Sequence, residues 1–88
     1  MPRRPAILPS AHRHGISDER MLHVVGTCPL PLEHPSRARQ VIFLAPDPRG
    51  VPLEVGAIED VDGGLTIIHA MRLRPSYREA YEEVMRWL

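Results

Sequence analysis

The feature that most constrains this chain is the change of hydrophobic period after residue 39. Val41–Ala45 is a continuous apolar run, short enough to be a strand buried on both faces. Asp47-Pro48-Arg49-Gly50 follows, with Asp, Pro and Gly where a type I turn wants them. Val51, Leu53, Val55 and Ala57 then alternate with Pro52, Glu54 and Gly56, the pattern of a strand with one wet face. Asp60–Gly64 makes a second turn, and Leu65–Ala70 is a third run. The expectation is an antiparallel meander over Arg39–Ala45, Val51–Glu59 and Leu65–Ala70.

Helical signals flank this region. Ser17 caps a helix over Asp18 to about Val25, with acids Asp18 and Glu19 at its positive end and Ile16 and Met21 at staple spacing. Met21, Val24, Val25 and Cys28 form one buried stripe, which Gly26, Pro29 and Pro31 bring to an end. Pro29–Ala38 reads as a surface loop. Pro75 suits a first helical position, and Tyr77, Tyr81, Val84, Met85 and Leu88 make a C-terminal amphipathic stripe. With 88 residues the chain holds one domain with a thin core. It is an α+β unit at 12–88, a three-stranded antiparallel meander packed on one face by a short N-terminal helix and the C-terminal helix, preceded by a flexible Pro-rich segment at 1–11. A short strand at Ala6–Leu8 fits only a sheet edge, because Pro stands on both sides.

Eleven Arg balance eleven acids, with no Lys, so the strongly basic signature of an autonomous nucleic-acid binder is missing. The balance is uneven: residues 1–40 carry six Arg and three acids, residues 41–71 one Arg and five acids, and residues 72–88 four Arg and three acids. One cysteine gives no internal disulfide, which fits a reducing cytoplasm. Met1–Ser10 lacks a signal-peptide core, and no run approaches the roughly 20 apolar residues of a membrane span.

The densest chemistry lies at the end of the third strand and the start of the last helix. His69 can move a proton, Arg72 and Arg74 can hold phosphate, and Tyr77 can stack a base or orient the backbone. Metal-independent phosphodiester cleavage needs such groups: a base for the 2′-hydroxyl, cations for the phosphoryl charge and an acid for the leaving oxygen. Arg13 and His14, approaching from the N-terminal segment, and Arg78 complete a candidate RNA-binding set. The same residues also fit a strand histidine, solvated arginines and a core tyrosine. His12 and His14 with Cys28, His23 or His34 match no zinc spacing, so neither metal nor cofactor is expected. Cys28 on a buried stripe is an inert thiol. Asp60 and Asp62 lack further calcium-loop ligands and make a turn.

Arg13-His14-Gly15-Ile16-Ser17, the strand–turn–strand Arg39–Glu59, Ile67-Ile68-His69-Ala70 and Arg78-Glu79-Ala80-Tyr81-Glu82 together resemble the BrnT toxins of the RelE-like ribonuclease superfamily. The likeness covers roughly residues 12–83 and is nearest to a divergent, actinobacterial-type branch with Arg-His-Gly-Ile-Ser and His-Ala-Met signatures. Pro-rich Met1–Ser10 stands where the family has an aromatic-acidic opening strand. Met71 stands where it has an arginine after the alanine, and Tyr77 where it has a helical glutamate. The resemblance implies a RelE-like fold, ribonuclease activity within a type II toxin–antitoxin system, RNA as substrate and a cognate antitoxin as partner. A BrnT-like scaffold that binds a protein without catalysis is the alternative it leaves.

Overall fold

A computed structural model describes residues 4–88; the expected flexible segment lies outside the described residues at positions 1–3. The chain forms an α+β fold around a five-stranded mixed sheet. Strand β1 is Ala6–Ile7, α1 is Asp18–Thr27, β2 is Leu32–Glu33, β3 is Gln40–Pro46, β4 is Pro52–Glu59, β5 is Leu65–Arg72 and α2 is Arg78–Met85. The strand order is β1-β5-β4-β3-β2. The three long strands are consecutive and antiparallel, but the expected three-stranded sheet gains a strand at each edge. At one edge β1 runs parallel to β5, through Ala6↔Thr66 and Ile7↔Ile67. Its flanking prolines cost nothing there, since an edge strand needs donors on one side only. Residues expected to be flexible are therefore held: Leu8 N–H donates to Ile67 O at 3.0 Å and Ser10 Oγ to Ile68 O at 3.1 Å, and Pro9–His12 forms a 3₁₀ turn that buries Ala11. At the other edge β2, inside the expected loop, pairs with β3 through Leu32↔Ile42 and Glu33↔Val41.

Alternation divides the sheet into two faces. Val41, Phe43 and Ala45 of β3 share one face with Leu53, Val55 and Ala57 of β4 and with Ile67 and Ala70 of β5, and all are buried. Met21 and Val24 of α1 close over them together with Ile16 and Ala11. Fully burying side chains of this size contributes about 1.5–3 kcal/mol each. Ser17 caps α1 as its sequence predicts, Oγ accepting from Arg20 N–H at 3.3 Å. The C-terminal stripe predicts that α2 buries Tyr81, Val84 and Met85 against Phe43, Val55 and Ile67 or Ile68; instead α1 occupies that face. Only Met85, half-buried, reaches this cluster from α2. Val84 is buried outside the cluster, where α2 runs against β3. Ile42 and Leu44 point away from α1 and are buried as well, so the sheet is covered on both sides of its centre rather than on one. The C-terminal helix is also shorter than its stripe. Pro75–Tyr77 is a 3₁₀ turn, and Trp87 and Leu88 beyond α2 are exposed.

The β3–β4 turn is locked from inside. Asp47 Oδ1 accepts from the N–H groups of Arg49 and Val51, each at 2.9 Å, and Oδ2 accepts from Arg20 Nε at 2.8 Å, tying the turn to α1. Burial alone would raise the Asp47 pKa, but these donors together hold it below its ordinary value. Gly50 closes the turn at φ +87°, a left-handed conformation that costs an L-residue about 1 kcal/mol. Gly50→Ala should therefore lower unfolding stability by about 1 kcal/mol through backbone strain, since open space surrounds a Cβ at that position. Urea denaturation checks this; an unchanged midpoint would show that the turn relaxes.

Candidate active site

The face of the sheet opposite α1 holds a cleft of about 350 Å³. Ile42 and Gly56 lie on its floor, and the strand order places His34, Arg37 and Gln40 on the β2–β3 side and Ile68 and His69 on the β5 side. Glu54, Arg74 and Tyr77 complete the wall. A β-bulge determines what reaches it. Gly56 pairs with His69 and Ala57 with Ile67, so Ile68 is the extra residue. Strict alternation would set Ile68 and His69 on opposite faces; with the bulge both line the cleft. Bulges commonly re-aim side chains in this way. Gly56 leaves the floor without a side chain, and a Cβ there would sit 3.5 Å from His69 Cβ.

Glu54 organises the wall. It is 1% exposed, and each oxygen has donors: Oε1 accepts from His69 Nε2 at 3.2 Å and from Arg74 Nε at 2.8 Å and Nη2 at 2.6 Å, while Oε2 accepts from Arg74 N–H at 3.1 Å. Burial pushes its pKa upward, but the bonds from His69 and Arg74 outweigh burial and hold it below the ordinary 4.5. The hydrogen bond to Glu54 in turn raises Arg74. The Arg74 guanidinium lies 5.6 Å from the Tyr77 ring centroid, within cation–π range. Tyr77 is thus a half-buried platform under Arg74, not a member of the helical core stripe.

The two imidazoles carry complementary tautomers, assigned from their partners. His69 gives its Nε2 proton to Glu54, so in the neutral ring Nδ1 is the acceptor. His34 Nδ1 accepts from the N–H groups of Ser36 and Arg37, both at 3.1 Å, which puts the ring proton on Nε2. One side of the cleft therefore offers a base oriented by a carboxylate, and the other a hydrogen-bond donor beside Arg37. The His69 side chain is 34% exposed, so it is neither sealed in the core nor free in solvent.

Of the residues singled out in the sequence, the fold brings His69, Arg74 and Tyr77 to this cleft. The His14 ring meets the His69 ring edge to face at 5.9 Å between centroids. Arg72 is separated from them: it pairs with Leu53 on the α1 face, because three residues beyond His69 the strand has turned to its other side. Arg13 caps the 3₁₀ turn through its N–H, which donates to Ser10 O at 3.3 Å, and Arg78 opens α2 with an exposed side chain; neither lines the cleft. His12 pairs with Asp18 at 2.5 Å. Glu54, His34 and Arg37 were missed. One signal was available for Glu54. The DPRG turn sets it opposite Leu44, in a run apolar on both faces, and a neighbour of such a run lies under the same cover. His34 gave none, since its placement depends on β2.

No helix among the described residues is long and apolar enough to cross a membrane. Comparison with protein-family models, curated proteins and solved structures found no match.

Proposed function

We propose that the chain is a metal-independent endoribonuclease whose site is this cleft, and that it is a divergent RelE-like, BrnT-like toxin. The observation that carries the proposal is the Glu54–His69 pair beside Arg74, facing His34 and Arg37. His69 Nδ1 takes the proton of a ribose 2′-hydroxyl, and Glu54 stabilises the imidazolium that forms. The 2′-oxygen bonds to phosphorus, the bond to the 5′-oxygen breaks, and that oxygen takes a proton from water. The products are a 2′,3′-cyclic phosphate and a 5′-hydroxyl. His34 Nε2–H, Arg37 and the half-exposed Arg74 carry the charge on the phosphoryl oxygens. Purified protein with EDTA should cleave single-stranded RNA and leave cyclic-phosphate ends, while a 2′-deoxy nucleotide at the scissile position should block the reaction. Intact RNA in the presence of ribosomes would defeat the proposal.

The alternative, a scaffold that binds a protein without catalysis, draws on a different observation. Trp87 and Leu88 are 70% and 68% exposed at the end of α2, two adjacent apolar side chains that a protein partner would cover. A cognate antitoxin is the partner the BrnT resemblance implies, and under the ribonuclease reading the same residues serve to hold it. Growth arrest on induction, relieved by coexpression of the neighbouring gene, separates a toxin from an inert scaffold.

A further inference from the structure

We infer that the opposite side of β5 carries a second phosphate-binding subsite, formed by Arg20, Arg49 and Arg72, that holds the continuation of the RNA strand in the His69 cleft. The identity of the ligand rests on the ribonuclease reading; the subsite itself rests on geometry. A hollow of about 400 Å³ lies between the first turn of α1 and the β3–β4 turn, and these three arginines line it. A neighbouring hollow of about 390 Å³ shares Arg20 and Arg72 and extends to His14. His14 in turn lies edge to face on His69, which lines the first cleft. The two faces are thus joined by a continuous run of cationic and imidazole side chains around the edge of β5. Past β1 that edge is covered by the 3₁₀ turn, with Leu8 N–H on Ile67 O and Ser10 Oγ on Ile68 O, so the path crosses it beyond the turn, where His14 meets His69.

Charge supports an anion there. Asp47 is buried, and its carboxylate is taken up by Arg20 and the turn N–H groups, which leaves Glu19 as the carboxylate at the rim. Arg49 and Arg72 are exposed, and neither makes an ion pair among the described residues. Arg20 and Arg74 hold the fold through buried carboxylates; Arg49 and Arg72 do no such structural work. The three carboxylates Glu59, Asp60 and Asp62 lie at the other end of β4 and β5, so a chain of zero net charge still presents a cationic band where the path runs. A ligand that meets both faces must carry several phosphates in series, as a single-stranded polynucleotide does.

The test uses non-cleavable 2′-O-methyl RNA of three and of twelve nucleotides, with binding followed by fluorescence anisotropy across salt concentrations. The parent should bind the longer RNA more tightly. In Arg49→Ala/Arg72→Ala, whose changes are at exposed side chains, that length advantage should fall about tenfold or more. The slope of log K against log salt should become shallower by about 1.4, from the roughly 0.7 expected per phosphate contact on a single strand. An unchanged length advantage and salt slope would overturn the subsite. A parent that binds with this length dependence but never cleaves unmodified RNA would overturn the ribonuclease reading and support the subsite. A cleaving parent whose double variant keeps the advantage would do the reverse.

Discussion

Replacing His69 with alanine is expected to slow RNA cleavage by a factor on the order of 10²–10⁴, the usual contribution of a positioned proton-transfer group. The size of the effect follows from what remains. Arg74 and Arg37 would still neutralise phosphate at the cleft and His34 would still donate to it, so RNA should bind nearly as before and the loss should fall on kcat rather than on KM. The fold should tolerate the change, since the ring is 34% exposed and Glu54 keeps its bonds from Arg74. His34→Ala probes a different role: it removes a donor to the phosphoryl oxygens and no base, so its pH–rate profile should keep the parent's shape while the rate falls. Single-turnover cleavage of a short RNA at several pH values separates the two. Equal rates for folded parent and His69→Ala would remove His69 from the chemistry and leave the protein-binding scaffold.

The sequence shows much of this fold because its strongest signals are local. The DPRG turn, the Ser17 cap and the strand over Val51–Ala57 each depend on residues a few positions apart, and the fold contains all three; the face of that strand expected to be wet is instead covered, with Glu54 and Gly56 buried. What escaped depends on contacts between distant segments. Strand β2 is two residues long and exists only because β3 offers an open edge, so no periodicity could announce it; β1, also two residues long, lies at the sheet edge that the prolines around Ala6–Leu8 allow. The bulge at Ile68 is one residue out of step, yet it decides that His69 faces the cleft and Arg72 does not. Proximity along the chain suggested that His69, Arg72 and Arg74 converge; strand geometry sends Arg72 to the other face and brings Glu54, fifteen residues from His69, in its place.

Glu54 is the residue whose loss should cost most in stability. Glu54→Ala leaves the N–H of Arg74 without its acceptor and removes the partner of His69 Nε2 and of the Arg74 guanidinium. Breaking a fully buried ion pair costs about 3–5 kcal/mol, but the Arg74 side chain is 49% exposed and can turn to water. The expected loss is therefore about 1–3 kcal/mol, the cost of an unsatisfied buried group. Arg74→Ala leaves the buried Glu54 carboxylate with only His69 and the N–H of residue 74 as donors, and Glu54→Ala/Arg74→Ala should cost less than the sum of the single changes, since each removes the same interaction. Acid adds an independent check. The folded-state pKa of Glu54 lies below its ordinary 4.5, so its ionised form contributes stability that is fully present above about pH 4.5 and is lost as pH falls through the depressed value. Glu54→Gln has no such proton to take up. The stability gap between parent and Glu54→Gln, measured by urea denaturation, should thus be widest near neutrality and narrow steadily in acid; a gap independent of pH would show that Glu54 is not held ionised by His69 and Arg74.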